Sequence, residues 1–204
     1  MDRSVDPRGV FSTLQKHVTS DLLHLMDGLY CNIEAALFEL AFRGDDESRQ
    51  RHYFDLVREM RYRRSKLIHA FARRLQREAC GWFGTPSSNS KARTEVELRQ
   101  AMKLSSKCAA HFTHLLECIA QRAAMGTGHA LAPEELPISP MRIADCFLLS
   151  CRALEFDKDS IATVEDLFQR FILDRLGPLY GQCNQHLQRS GFLTRDEMAK
   201  ACNG

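Results

Sequence analysis

At 204 residues, 44 % of them hydrophobic and 26 % charged, the chain has the apolar content for one buried core and the charge of an ordinary soluble protein. No run of ~18 apolar residues occurs, so no membrane span is expected, and the start MDRSVDPRGVF lacks the apolar centre of a secretory leader. Net charge is only +2, and eight cysteines without a leader read as reduced thiols in a cytoplasmic protein.

Residues 1–10 read as a flexible N-terminus, 11–193 as a single helical domain, and 194–204 as a short C-terminal helix or tail. A helical pattern begins near Phe11 and is firm from Thr19. Leu22, Leu25, Met26, Leu29, Tyr30, Ile33, Leu37 and Leu40 keep helical spacing up to Phe42. Gly44 stops this helix, and Asp45, Asp46 and Ser48 offer caps for the next. So short a link predicts an antiparallel helix pair.

The stretch Ser48–Cys80 reads as one long spine helix. Tyr53, Leu56, Val57, Met60, Leu67, Ile68, Phe71 and Leu75 fall within an arc of about 120°, the pattern of a helix buried on one side. Arg64 falls inside that arc. Its guanidinium stays charged, so it is expected to be mostly buried against an acid, with Glu34 or Glu39 as partner, or against a bound anion. The other basic residues coat the outer face. Between Arg49 and Arg77 there are ten Arg or Lys and two acids, a local charge of +8 that leaves −6 for the rest of the chain. The protein is therefore polarised rather than basic.

After Cys80, the run GWFGTPSSNSKAR reads as a loop. Its tryptophan, Trp82, is expected to plug the end of the bundle beside Phe83, with ligand stacking as the alternative role. Thr94 and Glu97 form a capping-box pattern opening a single helix to about Met125. Gly126 to Pro137 reads as a second exposed linker. Ser139-Pro140 opens a helix through Phe156. Asp157 or Asp159 caps the last long helix, Ser160 to about Gln188, with a kink or break at Gly177-Pro178. Thr194 and Glu197 repeat the capping-box pattern. No strand and no internal repeat is expected, so the fold class is all-α: a bundle of about six helices, mostly antiparallel, with no sheet.

Three segments together carry a resemblance: YFDLVREMR from Tyr53, LPISP from Leu136, and LFQRFILDRLGPLYGQCNQHLQRSGFL from Leu167 to Leu193. In that order they resemble the N-terminal part of a bacterial family known as domain-of-unknown-function family 1631, over about residues 20–193. The resemblance implies a helical packing pattern. It implies no catalytic residue, because none is established for the family. Typical members are longer, which implies a stand-alone regulatory relative or a truncated copy.

Chemistry-bearing constellations are sparse. His111, His114 and Cys118 share an arc of about 60° on one helix, and imidazole and thiolate at such spacing suit zinc. One helix rarely supplies a whole tetrahedral site, so these three are weak candidates and no metal or other cofactor is expected. No phosphate-binding glycine loop, dinucleotide fingerprint or nucleophile elbow occurs, and no catalytic residue is assigned. The expected function is therefore non-enzymatic: a cytosolic bacterial regulatory or scaffolding module that binds a protein partner, or itself as a homodimer, through helix faces. Arg58, Arg61, Arg64, Arg73, Arg77 and Trp82 are its candidate binding residues. The alternative is a sensor of a phosphate-bearing ligand, a nucleotide or cyclic dinucleotide, clamped by Arg58, Arg61 and Arg64. Nucleic-acid binding is a weaker alternative, because no nucleic-acid module accompanies the arginines.

Overall fold

A computed structural model describes residues 6–42, 47–84, 94–156 and 158–202. Among them the chain is all-α, with eight α-helices, three short 3-10 turns and no strand. The helices are α1 (Pro7–Phe42), α2 (Glu47–Glu78), α3 (Glu95–His111), α4 (Thr113–Thr127), α5 (Pro140–Arg152), α6 (Lys158–Phe171), α7 (Gly177–Arg189) and α8 (Arg195–Cys202). None is long and apolar enough to cross a membrane. Cys31, Cys108, Cys118, Cys151 and Cys183 are free thiols.

The first helix starts earlier than its apolar pattern. Pro7 takes the first turn, where its missing N–H costs nothing. Asp6 caps the turn by accepting from the N–H groups of Arg8 and Gly9, both at 3.1 Å. Of the flexible N-terminus, only residues 1–5 lie outside the described residues; Pro7 onward is helix. The caps expected at Gly44, Asp45, Asp46 and Asp157 also lie outside them, as does the loop from Thr85 to Arg93.

α1 and α2 form the antiparallel hairpin that the short link predicts, and theirs is the most extensive helix–helix contact. At ~1.5 Å per residue the two helices are about 50 Å long. Yet α2 is not the centre of the bundle. That place belongs to α5, where every residue from Ile143 to Cys151 is buried. A helix apolar on all sides has neighbours on all sides, and α5 packs against both α2 and α3. At its centre the Phe147 ring stacks on Phe168 of α6 at 3.8 Å, and Phe71 of α2 meets both edge-on at 6.2 and 6.1 Å.

Both expected capping boxes form. Thr94 Oγ1 accepts from the Glu97 N–H at 3.4 Å, and the Thr94 N–H donates to Glu97; Thr194 and Glu197 do the same for α8. Ser139 caps α5 with Pro140 in its first turn. Gly177-Pro178 gives a full break: a 3-10 turn, Leu173–Arg175, ends the preceding helix and Pro178 opens α7.

Two expectations need correction. The helix from Thr94 to Met125 is interrupted at Phe112. There the Thr113 hydroxyl donates back to the carbonyls of Ala109 and Ala110, both at 3.0 Å, a bond that bends helices. The Phe112 ring lies against Tyr180, 5.6 Å between centroids. Nor is the second linker exposed throughout: Leu136 and Pro137 are buried, and just beyond them the Tyr180 hydroxyl donates to the Ile138 carbonyl at 3.0 Å.

Candidate functional site

The arginine candidates lie on one seam of the α1–α2 hairpin and its outer face. Arg64 is not buried. Its side chain is 48 % exposed, and it donates to Asp27 Oδ1 at 2.9 Å, not to Glu34 or Glu39. Its guanidinium carbon stands 5.2 Å from the Tyr30 ring. Burial inside the apolar arc fails for a geometric reason. α1 covers one flank of α2 and α5 the other, and Arg64 emerges at the edge of the α1 seam. The nearby acid is the part of the expectation that holds.

Arg61 takes Glu34, donating through Nε at 2.7 Å. Antiparallel pairing then places Phe38 against Phe54, 5.3 Å between ring centroids. Phe42 stacks on Phe38 at 6.4 Å, one turn further out. These rings are unusual in being wet: Phe42 is 75 % exposed, and Phe38 and Phe54 are about two-fifths exposed. Large apolar side chains gathered on an exposed face mark contact surfaces more often than lone ones do. Arg58 lies one turn from Phe54 on the same face of α2 and is exposed; no ion pair forms at Arg58, Arg73 or Arg77 among the described residues. The seam thus runs from paired charges at Asp27–Arg64 and Glu34–Arg61 to bare aromatics at Phe38, Phe42 and Phe54.

Spacing alone misses these three phenylalanines, because they lie off the main apolar stripe of each helix. A signal exists in retrospect. Phe38 and Phe42 follow Glu34 at intervals of four, and Phe54 precedes Arg58 by four, so each ring sits in a polar row.

Trp82 is not part of that surface. It is 1 % exposed in the 3-10 turn Ala79–Phe83, which fits the bundle plug and removes it as an outer contact. Its indole N–H donates to Gln15 Oε1 at 2.9 Å, and the Gln15 amide donates to the Leu75 carbonyl at 2.9 Å. Phe11 packs 5.1 Å from the indole and 5.8 Å from both Phe83 and Phe192.

The weak metal candidates do not assemble. His111 ends α3 with its ring edge-on to Phe112, while His114 and Cys118 share α4, 3.9 Å between Nε2 and Sγ. No group of three His, Cys, Asp or Glu able to hold a metal ion occurs among the described residues.

A buried arginine does exist, but on α4. The Arg122 side chain is 6 % exposed and fully engaged: Nη2 donates to Glu197 Oε1 at 2.8 Å, Nη1 to the Phe192 carbonyl at 2.8 Å, and Nε to Asn184 Oδ1 at 3.2 Å. The bond from Arg122 holds the Glu197 carboxyl down to about 2, helped by the Thr194 N–H. Burial pushes the Cys108 and Cys183 thiols up to about 12, so neither is a nucleophile near neutrality.

The family description "Protein of unknown function (DUF1631) N-terminal domain" matches residues 6–191, more than nine-tenths of the chain. The chain belongs to the DUF1631 family. Nothing in that description names a reaction, so the DUF1631 fold has to be read for function from its own surface. No curated protein and no solved structure matches the chain.

Proposed function

We propose that this DUF1631 chain is a non-enzymatic regulatory or scaffolding module that docks an acidic protein partner on the exposed end of its α1–α2 hairpin, in a reducing compartment. The observation that carries the reading is the cluster of Phe38, Phe42 and Phe54, solvent-exposed beside Arg58, with Phe38 in contact with both other rings. Aromatic anchors supply most of the affinity in protein interfaces. Charge sets encounter and orientation. An acidic, amphipathic segment fits both: its apolar side covers the rings, and its carboxylates meet Arg58 and the arginines further along α2.

The phosphate-clamp alternative is less well supported. Arg61 and Arg64 already hold Glu34 and Asp27. A phosphate between them would have to displace two carboxylates, leaving only Arg58 of the three without one.

A photocrosslinking residue at position 42, in the full chain and in its own cell, tests the proposal. The expected result is a discrete adduct with a protein of acidic surface. Arg58→Glu should reduce its yield about tenfold, the loss of a hot-spot contact. The same substitution should leave the melting temperature unchanged. Absence of an adduct, or an adduct indifferent to Arg58→Glu, overturns the reading. An adduct between two copies of this chain replaces the acidic partner with self-association.

A further inference from the structure

The other end of the hairpin carries a second feature, independent of the docking surface. A cleft of about 580 Å³ opens between the first three turns of α1 and the 3-10 turn after α2. Cavities of ~300–1,000 Å³ are the usual size for small-molecule sites. Phe11, Ala79, Trp82 and Phe83 supply its apolar lining, and Arg8 and Lys16 stand at its rim. Among the described residues its walls contain no Asp or Glu.

We propose that this cleft binds a small amphipathic anion: an apolar body of drug-like size carrying one carboxylate or phosphate-type group. The apolar part would lie against the half-buried Phe83 and Ala79, with the buried Phe11 and Trp82 rings behind them. The lining needs no polar partner from the ligand there, because the Trp82 N–H is bonded to Gln15 and the Gln15 amide to the Leu75 carbonyl. Those bonds also hold the indole in place before anything binds, which lowers the ordering cost of binding. The anionic group would sit between Arg8 and Lys16. Both are exposed and neither forms an ion pair among the described residues. Arg8 is directed over the cleft wall, its guanidinium carbon 5.7 Å from the Phe83 ring. A neutral apolar molecule would use the floor alone, and a small inorganic anion the rim alone, so the fit requires both parts in one molecule.

Trp82 is the chain's single tryptophan, so its fluorescence reports this cleft without interference. The full chain is titrated with octanoate, octyl phosphate and 1-octanol. Octanoate or octyl phosphate should shift the emission saturably, and the tighter of the two names the head group. The alcohol should bind about tenfold more weakly, the sum of two exposed charge contacts. Arg8→Ala with Lys16→Ala should bring the anion down to the level of the alcohol. Ser12→Phe, at an exposed position on the cleft wall, should abolish binding of all three. The two alanine substitutions, both on the surface, keep the test decisive should Ser12→Phe fail to fold. A titration with no saturable change overturns the proposal. So does an alcohol that binds the wild-type chain as tightly as the anions, or an anion that binds the double alanine variant unchanged.

Discussion

Arg64 and Arg122 each bond a carboxylate across a helix interface, yet they sit in opposite surroundings. Arg64 ties α2 to α1 at the edge of the hairpin, half in water, with one bond to Asp27. Arg122 ties α4 to α7 and α8 inside the bundle, and water reaches almost none of it. In the first place solvent can replace the partner at little cost. In the second, a carbonyl and an amide oxygen would be stranded. The pairs look alike as salt bridges; burial decides what each contributes.

That difference can be broken by substitution. Arg122→Ala should have the largest effect, about 2–4 kcal/mol of unfolding free energy in a urea titration, because it orphans Asn184 Oδ1 and the Phe192 carbonyl. A loss under 1 kcal/mol would mean that the α8 corner rearranges freely. Next comes an acid-range effect at Glu197. Its carboxyl is held near about 2 in the fold, against ~4.3 for a free glutamate. A lowered carboxyl stabilises the fold fully above the unfolded value, and the contribution is lost as pH falls towards the folded value. The amides of α8 should therefore lose exchange protection between about pH 4 and pH 2, ahead of the α5 core, and Glu197→Gln should remove that step. Smallest is Arg64→Ala, expected to cost about 0.5–1 kcal/mol from one exposed pair and one exposed cation–ring contact. Were it to cost as much as Arg122→Ala, the seam would be far drier than its exposure implies.

Legibility in the sequence followed the range of the interaction. Thr94 with Glu97, Thr194 with Glu197, Ser139-Pro140 and Pro178 are all local signals, a cap or a ring within a few residues of its effect, and each appears where expected. The bend at Phe112 has a local signal too, the Thr113 hydroxyl, but mid-helix threonines often bend nothing. Arg64 was misplaced because periodicity gives a residue's direction on its own helix and not the width of the neighbour that covers it. The same spacing test applied to α4 singles out Arg122, three residues after Ile119 and seven after Leu115. Whether such an arginine is buried or seam-exposed depends on residues some seventy positions away. The wet phenylalanines and the apolar cleft were less legible still. Phe38, Phe54, Phe11 and Trp82 look alike as letters, and only the packing of α1 on α2 leaves two in water and two inside.

Gly126 has a consequence for synthesis. A Cβ there would come within 2.9 Å of both the Phe11 and Phe192 rings, so the bare glycine is what lets a ring of α1 stack on one from the link between α7 and α8 beside α4. Those two rings are separated by almost the whole chain. On the ribosome, where residues appear at ~5–20 per second, Phe11 must wait until residue 192 has been made before that neighbour arrives. The long hairpin can pair early through contacts near in sequence, with Trp82 and Phe83 against Phe11, but the side of that ring that faces Phe192 stays uncovered until then. Contacts of such span close late because the loop they close is long. A nascent chain arrested before residue 192 should accordingly hold a folded α1–α2 pair whose Phe11 end still recruits chaperones.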